Sequence, residues 1–154
     1  MYYESSNIYQ KARETTGMTQ EAVAELLDVS VESIRAYESG LRVPKNKTAE
    51  KMAIIFRAEW LLIEHLLSDE VAGKCLPRPM IEFTLSQAAL WFLKELESSR
   101  TQTTKLISLT CANVLESEQQ AEFETLMQEL FSLAAAVLTL RFCDKKGLAF
   151  GKTA

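Results

Sequence analysis

The stretch TQEAVAELLDVSVESIRAYESG, Thr19 to Gly40, decides the fold of the N-terminal half of the chain. It reads as two short helices joined by a tight turn. Thr19 can cap the first helix, its hydroxyl accepting a backbone N–H that the helix leaves unpaired. Val23, Ala24 and Leu27 follow at the spacing of one helical face. Asp28 and Val29 interrupt that pattern, and Asp tolerates the left-handed backbone a sharp turn requires. Ser30 can cap the second helix, where Ile34 and Tyr37 share a face, and Gly40 stands where such a helix stops.

This is the layout of a helix-turn-helix unit, whose second helix lies in the DNA major groove. The stretch resembles the Cro/repressor-type (XRE-type) helix-turn-helix family. Thr19-Gln20, Ala24, Val29-Ser30, Ile34, Tyr37-Glu38, Gly40 and Pro44 carry the resemblance. Ala24 stands where the helices cross, and a larger side chain there would push them apart. Asp28 departs from the family, which usually has Gly at that position. The resemblance implies an all-α protein with an N-terminal five-helix, lambda-repressor-like DNA-binding domain over residues 1–69. It also implies that Gln20 holds a phosphate or a base, that Ser33 approaches the DNA backbone, and that Arg13 pairs with Glu38. Such a pair is structural, because each charge is costly to bury alone.

Ile34 and Tyr37 are needed inside, so Val31, Glu32, Arg35 and Ala36 are left to face DNA, with Ser30 at the start of the helix. Glu32 can accept from the amino group of cytosine, and Arg35 can donate twice to guanine or once to phosphate. Val31 and Ala36 suit a thymine methyl. Glu32 is equally explained as an acid complementing the helix dipole. Arg42, Lys45, Lys47 and Lys51 cluster beyond the second helix, with Lys11 and Arg35 upstream, and Arg42, Lys45 and Lys47 suit phosphate contact. The overall balance runs against this: residues 1–70 carry eight Lys/Arg and twelve Asp/Glu, part of a net charge of −4. Affinity for DNA follows local phosphate neutralisation, not the chain total.

Residues 6–16 read as a first helix with Ile8, Ala12 and Thr15-Thr16 inward, ended by Gly17. After Pro44, AEKMAIIFRAEWLLIEHLL suggests one long helix or two, with Met52, Ile55, Phe56, Trp60, Leu61, Ile63 and Leu67 closing the core. Trp60 reads as a buried aromatic and His65, the single histidine, as structural. Residues 70–83, with the Pro77-x-Pro79 segment, read as a stiff linker.

Residues 84–143 read as an antiparallel helical hairpin. Leu85, Ala89, Phe92, Leu96, Ser99, Thr103, Leu106 and Thr110 alternate by four and three. Asn113 can break the helix, and Ser117 with Gln120 fits a capping box. Phe123, Leu126, Leu130, Leu133 or Ala134, Val137 and Leu140 mark the second face. Two helices bury little, so the hairpin is expected to dimerise as a four-helix bundle. This part resembles more loosely the helical tails of prophage-type or mobile-element regulators of Gram-positive bacteria, through Leu76-Pro77, the segment EQQAEFETLMQEL and the closing LTLRF. Many relatives are more acidic where this chain has Cys111 to Leu115. Residues 144–154 read as a frayed tail.

No uninterrupted apolar run suggests a membrane span, and MYYESSNIYQ lacks the features of a signal peptide. Cys75, Cys111 and Cys143, widely spaced and odd in number, suggest reduced thiols in the cytoplasm. Cys143, near Arg141, Lys145 and Lys146, is the best placed of the three for redox sensing, though an ordinary thiol explains it as well. Phosphate-cradling glycine loops and HExxH or CxxC spacings are missing, and acids such as Glu64, Asp69 and Glu70 are ordinary helix-surface residues. The reading is therefore a non-enzymatic, sequence-specific transcriptional regulator of XRE type. It is expected to act as a repressor, with no cofactor or metal, binding double-stranded DNA at an inverted repeat as a homodimer. The alternative is a protein-binding module, antitoxin-like or regulator-docking, in which an acidic surface has lost DNA affinity and the hairpin takes a protein partner.

Overall fold

The computed structural model describes residues 7–111 and 117–143. Among them are eight helices and no strand: α1 (Ile8–Glu14), α2 (Gln20–Leu27), α3 (Val31–Glu38), α4 (Asn46–Ile55), α5 (Trp60–Leu67), α6 (Glu70–Cys75), α7 (Leu85–Thr110) and α8 (Ser117–Phe142). The chain divides into two compact units between Cys75 and Leu76.

In the first unit several helix ends have an identifiable cause. Asn7 caps α1 through its side chain, and Thr19 caps α2, its hydroxyl 3.2 Å from the Ala22 N–H. The α2–α3 turn closes with Asp28 at φ 55°, ψ 51°, while the Val29 N–H donates to the Ala24 carbonyl at 3.0 Å. Asp therefore does take the left-handed conformation. The same closure ends α4: Arg57 has φ 51°, and the Ala58 N–H donates to Ala53 O at 2.9 Å. That stop resolves the stretch after Pro44 into two helices. Gly40, with φ 76°, ends the α3 segment in a conformation that costs a Cβ-bearing residue strain.

Tyr9, Ala12, Val23, Ala24, Leu27, Ile34, Tyr37, Met52, Ala53, Phe56, Ala58 and Leu61 form one buried cluster. Trp60 differs from the expectation of a buried aromatic: it is half-buried and packs on the edge of that cluster. Thr15 is exposed. Tyr9, which the sequence pattern did not single out, is buried, and its hydroxyl lies 2.7 Å from His65 Nδ1. His65 Nε2 lies 3.1 Å from Asn46 Oδ1. These contacts make His65 a brace between α1, α4 and α5. Burial pushes its pKa down, and burial pushes the Tyr9 phenol up to about 12. Residues 70–75, read from sequence as the start of a linker, form α6 and belong to the first unit. α6 folds closely onto α5: a Cβ at Gly73 would lie 2.6 Å from the Leu67 carbonyl oxygen.

The second unit begins with an extended segment in which Pro79 is buried and the Met80 N–H donates to Thr139 Oγ1 at 2.9 Å. Thr84 and Gln87 form a reciprocal capping box that starts α7. Ser117 and Gln120, where a second box is expected, lie in the first turn of α8 as described, and Asn113 lies outside the described residues. α7 and α8 run antiparallel, with Lys105 Nζ 3.7 Å from Glu122 Oε1 and Glu95 bonded by Ser132.

The faces of this hairpin follow the periodic reading only in part: Leu126 is buried and Leu85, Phe92, Phe123 and Leu130 half-buried as expected, but other positions differ. Among the described side chains of α7 the buried ones are Ala88, Glu95 and Leu109, while Leu96 and Thr110 are exposed. On α8 they are Leu126, Ala135, Ala136 and Thr139, whereas Val137 is 49% exposed. One reason is that the interior holds Glu95, bonded across the hairpin by Ser132, beside small residues such as Ala88 and Ala136. Burial pushes the Glu95 carboxyl upward, but bonds from Ser132, Lys94 and Trp91 together hold it below its ordinary value. Hydrophobic periodicity does not mark such an interface. α8 is also long and apolar enough to cross a membrane by length and composition alone, which its interspersed acids hide from a search for uninterrupted runs.

Candidate nucleic-acid interface

α3 is held against the first unit by Ile34, Tyr37 and Glu38, all buried. Ser30 starts it: its Oγ accepts the Ser33 N–H at 3.2 Å and lies 3.0 Å from Ser33 Oγ. Ser30 and Ser33 are thus bonded to each other, with Ser30 exposed and Ser33 half-buried. Glu32 and Arg35 are exposed, Ala36 is half-buried, and Val31 is half-buried against the core. Exposed Glu32 and Arg35 lie three residues apart, so one helical face presents both.

Beneath this surface lies a buried ion pair. Arg13 Nε donates to Glu38 Oε1 at 2.7 Å and Arg13 Nη2 to Glu38 Oε2 at 3.0 Å. The side chains are only 14% and 6% exposed. The bonds it donates to Glu38 raise the Arg13 pKa above its ordinary value. Arg13 Nη1 also donates to the Met18 carbonyl at 2.8 Å, which ties the α1–α2 connection to the pair.

Gln20 links the pair to the surface. Its Nε2 donates to Glu38 Oε2 at 2.9 Å, so its carbonyl oxygen turns the other way and receives Arg35 Nε at 3.4 Å. Glu21 Oε1 lies 3.7 Å from Arg35 Nη2. Glu21 is a neighbour of the site that the sequence pattern did not mark, although its place at the start of α2 beside Gln20 was available as a signal. The structure thus brings Gln20 and Arg35 together and orients them through a buried carboxylate.

The basic residues after α3 are exposed. The Arg42 guanidinium sits 4.8 Å over the Tyr37 ring, and its backbone N–H donates to the Ala36 carbonyl at 3.0 Å. Lys45 occupies the position before α4 and Lys47 its first turn, both exposed. A row of cations along one backbone segment, beside an exposed helix face carrying Arg and Glu, can neutralise phosphates while the helix meets base edges.

Residues 10–60 match the helix-turn-helix family model. Searches of curated proteins and of solved structures gave no match. The matched segment covers α2, α3 and α4 entire, together with most of α1 and the first residue of α5. It supports a DNA-binding regulator in general terms, built on a domain that is regulatory, not enzymatic.

Proposed function

We propose that this protein is a sequence-specific transcriptional regulator that binds an inverted-repeat operator as a homodimer and represses by occupying it. The observation that carries the reading is the arrangement of α3. One face is locked by Ile34, Tyr37 and the Arg13–Glu38 pair, and the other presents Glu32 and Arg35, with Arg35 oriented by Gln20. Arg35 and Glu32 would read bases, Val31 and Ala36 would contact thymine methyls, and Gln20, Ser30 and Ser33 would lie near the backbone. Arg42, Lys45 and Lys47 would hold phosphates. One short helix reads few bases, and linking two half-sites supplies effective concentration. The hairpin supports such linkage, because its outward residues include Phe131 and Val137. The loose resemblance of residues 76–143 to mobile-element regulators suggests a prophage or similar element as its setting, in the cytoplasm.

Selection from random double-stranded DNA at low salt, followed by sequencing of the bound pool, tests the reading. Enrichment of an inverted repeat with half-sites about one helical turn apart supports it. No enrichment by folded protein refutes it. A second reading, a protein-binding module, is favoured by the excess of acids over bases in residues 1–70. A salt titration separates the two, since phosphate contacts weaken steeply with salt and an apolar protein contact does not.

A further inference from the structure

The α7–α8 hairpin buries Glu95 and Thr139 among its interior residues and leaves several large apolar side chains exposed. Glu95 is bonded by Ser132 across the hairpin, and Gln102 lines one cleft with Glu129 and Leu126, whereas Thr139 bonds the Met80 N–H and the Ala135 carbonyl. Phe131 is 45% exposed on α8. A helix that is apolar on the side away from its intrachain neighbour is built to be covered.

That outer side has an internal order. Glu124, Met127, Phe131, Ala134, Leu138 and Arg141 alternate by three and four residues, the spacing of a coiled-coil seam. Glu124, Phe131, Ala134 and Arg141 are exposed, and Met127 and Leu138 half-buried. The row spans about 25 Å at 1.5 Å per residue. Read backwards, it is its own complement. When two copies run antiparallel about a twofold axis between positions 131 and 134, Phe131 of one faces the small Ala134 of the other. Met127 then faces Leu138, and Glu124 faces Arg141. A parallel pair would instead set Glu124 on Glu124, Phe131 on Phe131 and Arg141 on Arg141.

We infer that α8 is the self-association surface of this protein and that two copies pair through it antiparallel in this register. The inference rests on the homodimer reading above and adds its interface. The occupant is a second copy, because both size and charge complement each other only when the row meets itself reversed. An isologous contact of this kind closes as a dimer and does not propagate.

Sedimentation equilibrium of the full-length chain tests it, using wild type and the variants Glu124→Arg, Arg141→Glu, the double swap E124R/R141E, and Ala134→Arg. These positions are exposed, and far-UV circular dichroism verifies that each variant keeps its helices. Wild type is expected to dimerise, each single reversal to weaken dimerisation about tenfold by placing like charges together twice, and the double swap to recover it. Ala134→Arg is expected to give monomers. A dimer indifferent to Ala134→Arg, or a double swap weaker than both singles, overturns the interface while leaving the homodimer itself standing. A wild type that stays monomeric overturns both. Co-flotation of the wild type with vesicles of phosphatidylcholine and phosphatidylglycerol, lost in Ala134→Arg and without self-association, overturns the inference in favour of a lipid surface.

Discussion

Replacing Arg13 by Met removes the partner of a carboxylate that the fold has taken out of water. Glu38 would keep only the Gln20 amide, since its two bonds to Arg13 at 2.7 and 3.0 Å disappear. The Met18 carbonyl would also lose its donor. Breaking a buried pair on one side costs about 3–5 kcal/mol, and an unsatisfied carbonyl about 1 kcal/mol more. For a domain of this size that corresponds to a Tm lower by roughly 15 °C or more. Urea titration of the full chain, with hydrogen exchange read on peptides from α1 to α3, measures the loss in the first unit alone. The double variant R13M/E38M removes both charges and is expected to regain stability to within about 2 kcal/mol of wild type. Its DNA affinity should not recover, because Gln20 no longer has the carboxylate that orients it towards Arg35. A loss under about 1 kcal/mol in the single variant would show that the pair is effectively solvated. A double variant as unstable as the single one would show that packing, and not an orphaned charge, sets the cost.

Arg35→Ala should weaken binding to the selected operator by about 1–3 kcal/mol and relax the preference at one base pair, as read by gel shift on operator variants. Unchanged affinity would remove Arg35 from the interface. Lys45→Ala should weaken operator and unrelated DNA alike and lower the slope of log affinity against log salt by about one; an effect confined to the operator would contradict a phosphate contact. Asp28→Gly should stabilise the first unit by about 0.5–1 kcal/mol in urea, because φ 55° strains a residue with a Cβ. Burial lowers the folded pKa of His65, so the unfolded chain takes up its proton first as pH falls. Stability should therefore drop as pH falls from about 7 through the ordinary histidine range near 6.5, and level off below the folded value. That pH dependence should be smaller in His65→Gln, measured by melting temperature; an equal slope in both proteins would assign it to other groups.

The N-terminal unit was legible because its signals are local. Thr19 and Ser30 cap helices with their own side chains, Asp28 takes the left-handed turn, and Val23, Ala24, Leu27, Ile34 and Tyr37 lie inside at helical spacing. Such features depend on residues a few positions apart, and so they can be read before the fold is known. The pair of Arg13 and Glu38 became legible only through resemblance, since 25 positions separate them. The brace from Tyr9 to His65 crosses 56 positions and has no sequence signature. The stop at Arg57 was equally hidden, because a left-handed arginine has no propensity to announce it.

Tertiary structure alone decided how the C-terminal helices face each other. Their lengths follow from the helix-forming pattern, but pattern reading assumes that apolar residues point inward. Here Glu95 is bonded by Ser132 and Thr139 bonds nearby backbone in the interior, while apolar residues of α8 such as Phe131 and Val137 stay exposed. The orientation of Gln20 was decided in the same way. Its amide could serve a phosphate, a base or a neighbour, and it is the buried Glu38 carboxylate that takes its N–H and turns its oxygen towards Arg35. Sequence therefore determined which residues could stand at the surface of α3, through caps and periodicity. The fold determined which of them are held in place, because only folding brings a buried charge within hydrogen-bond reach of them.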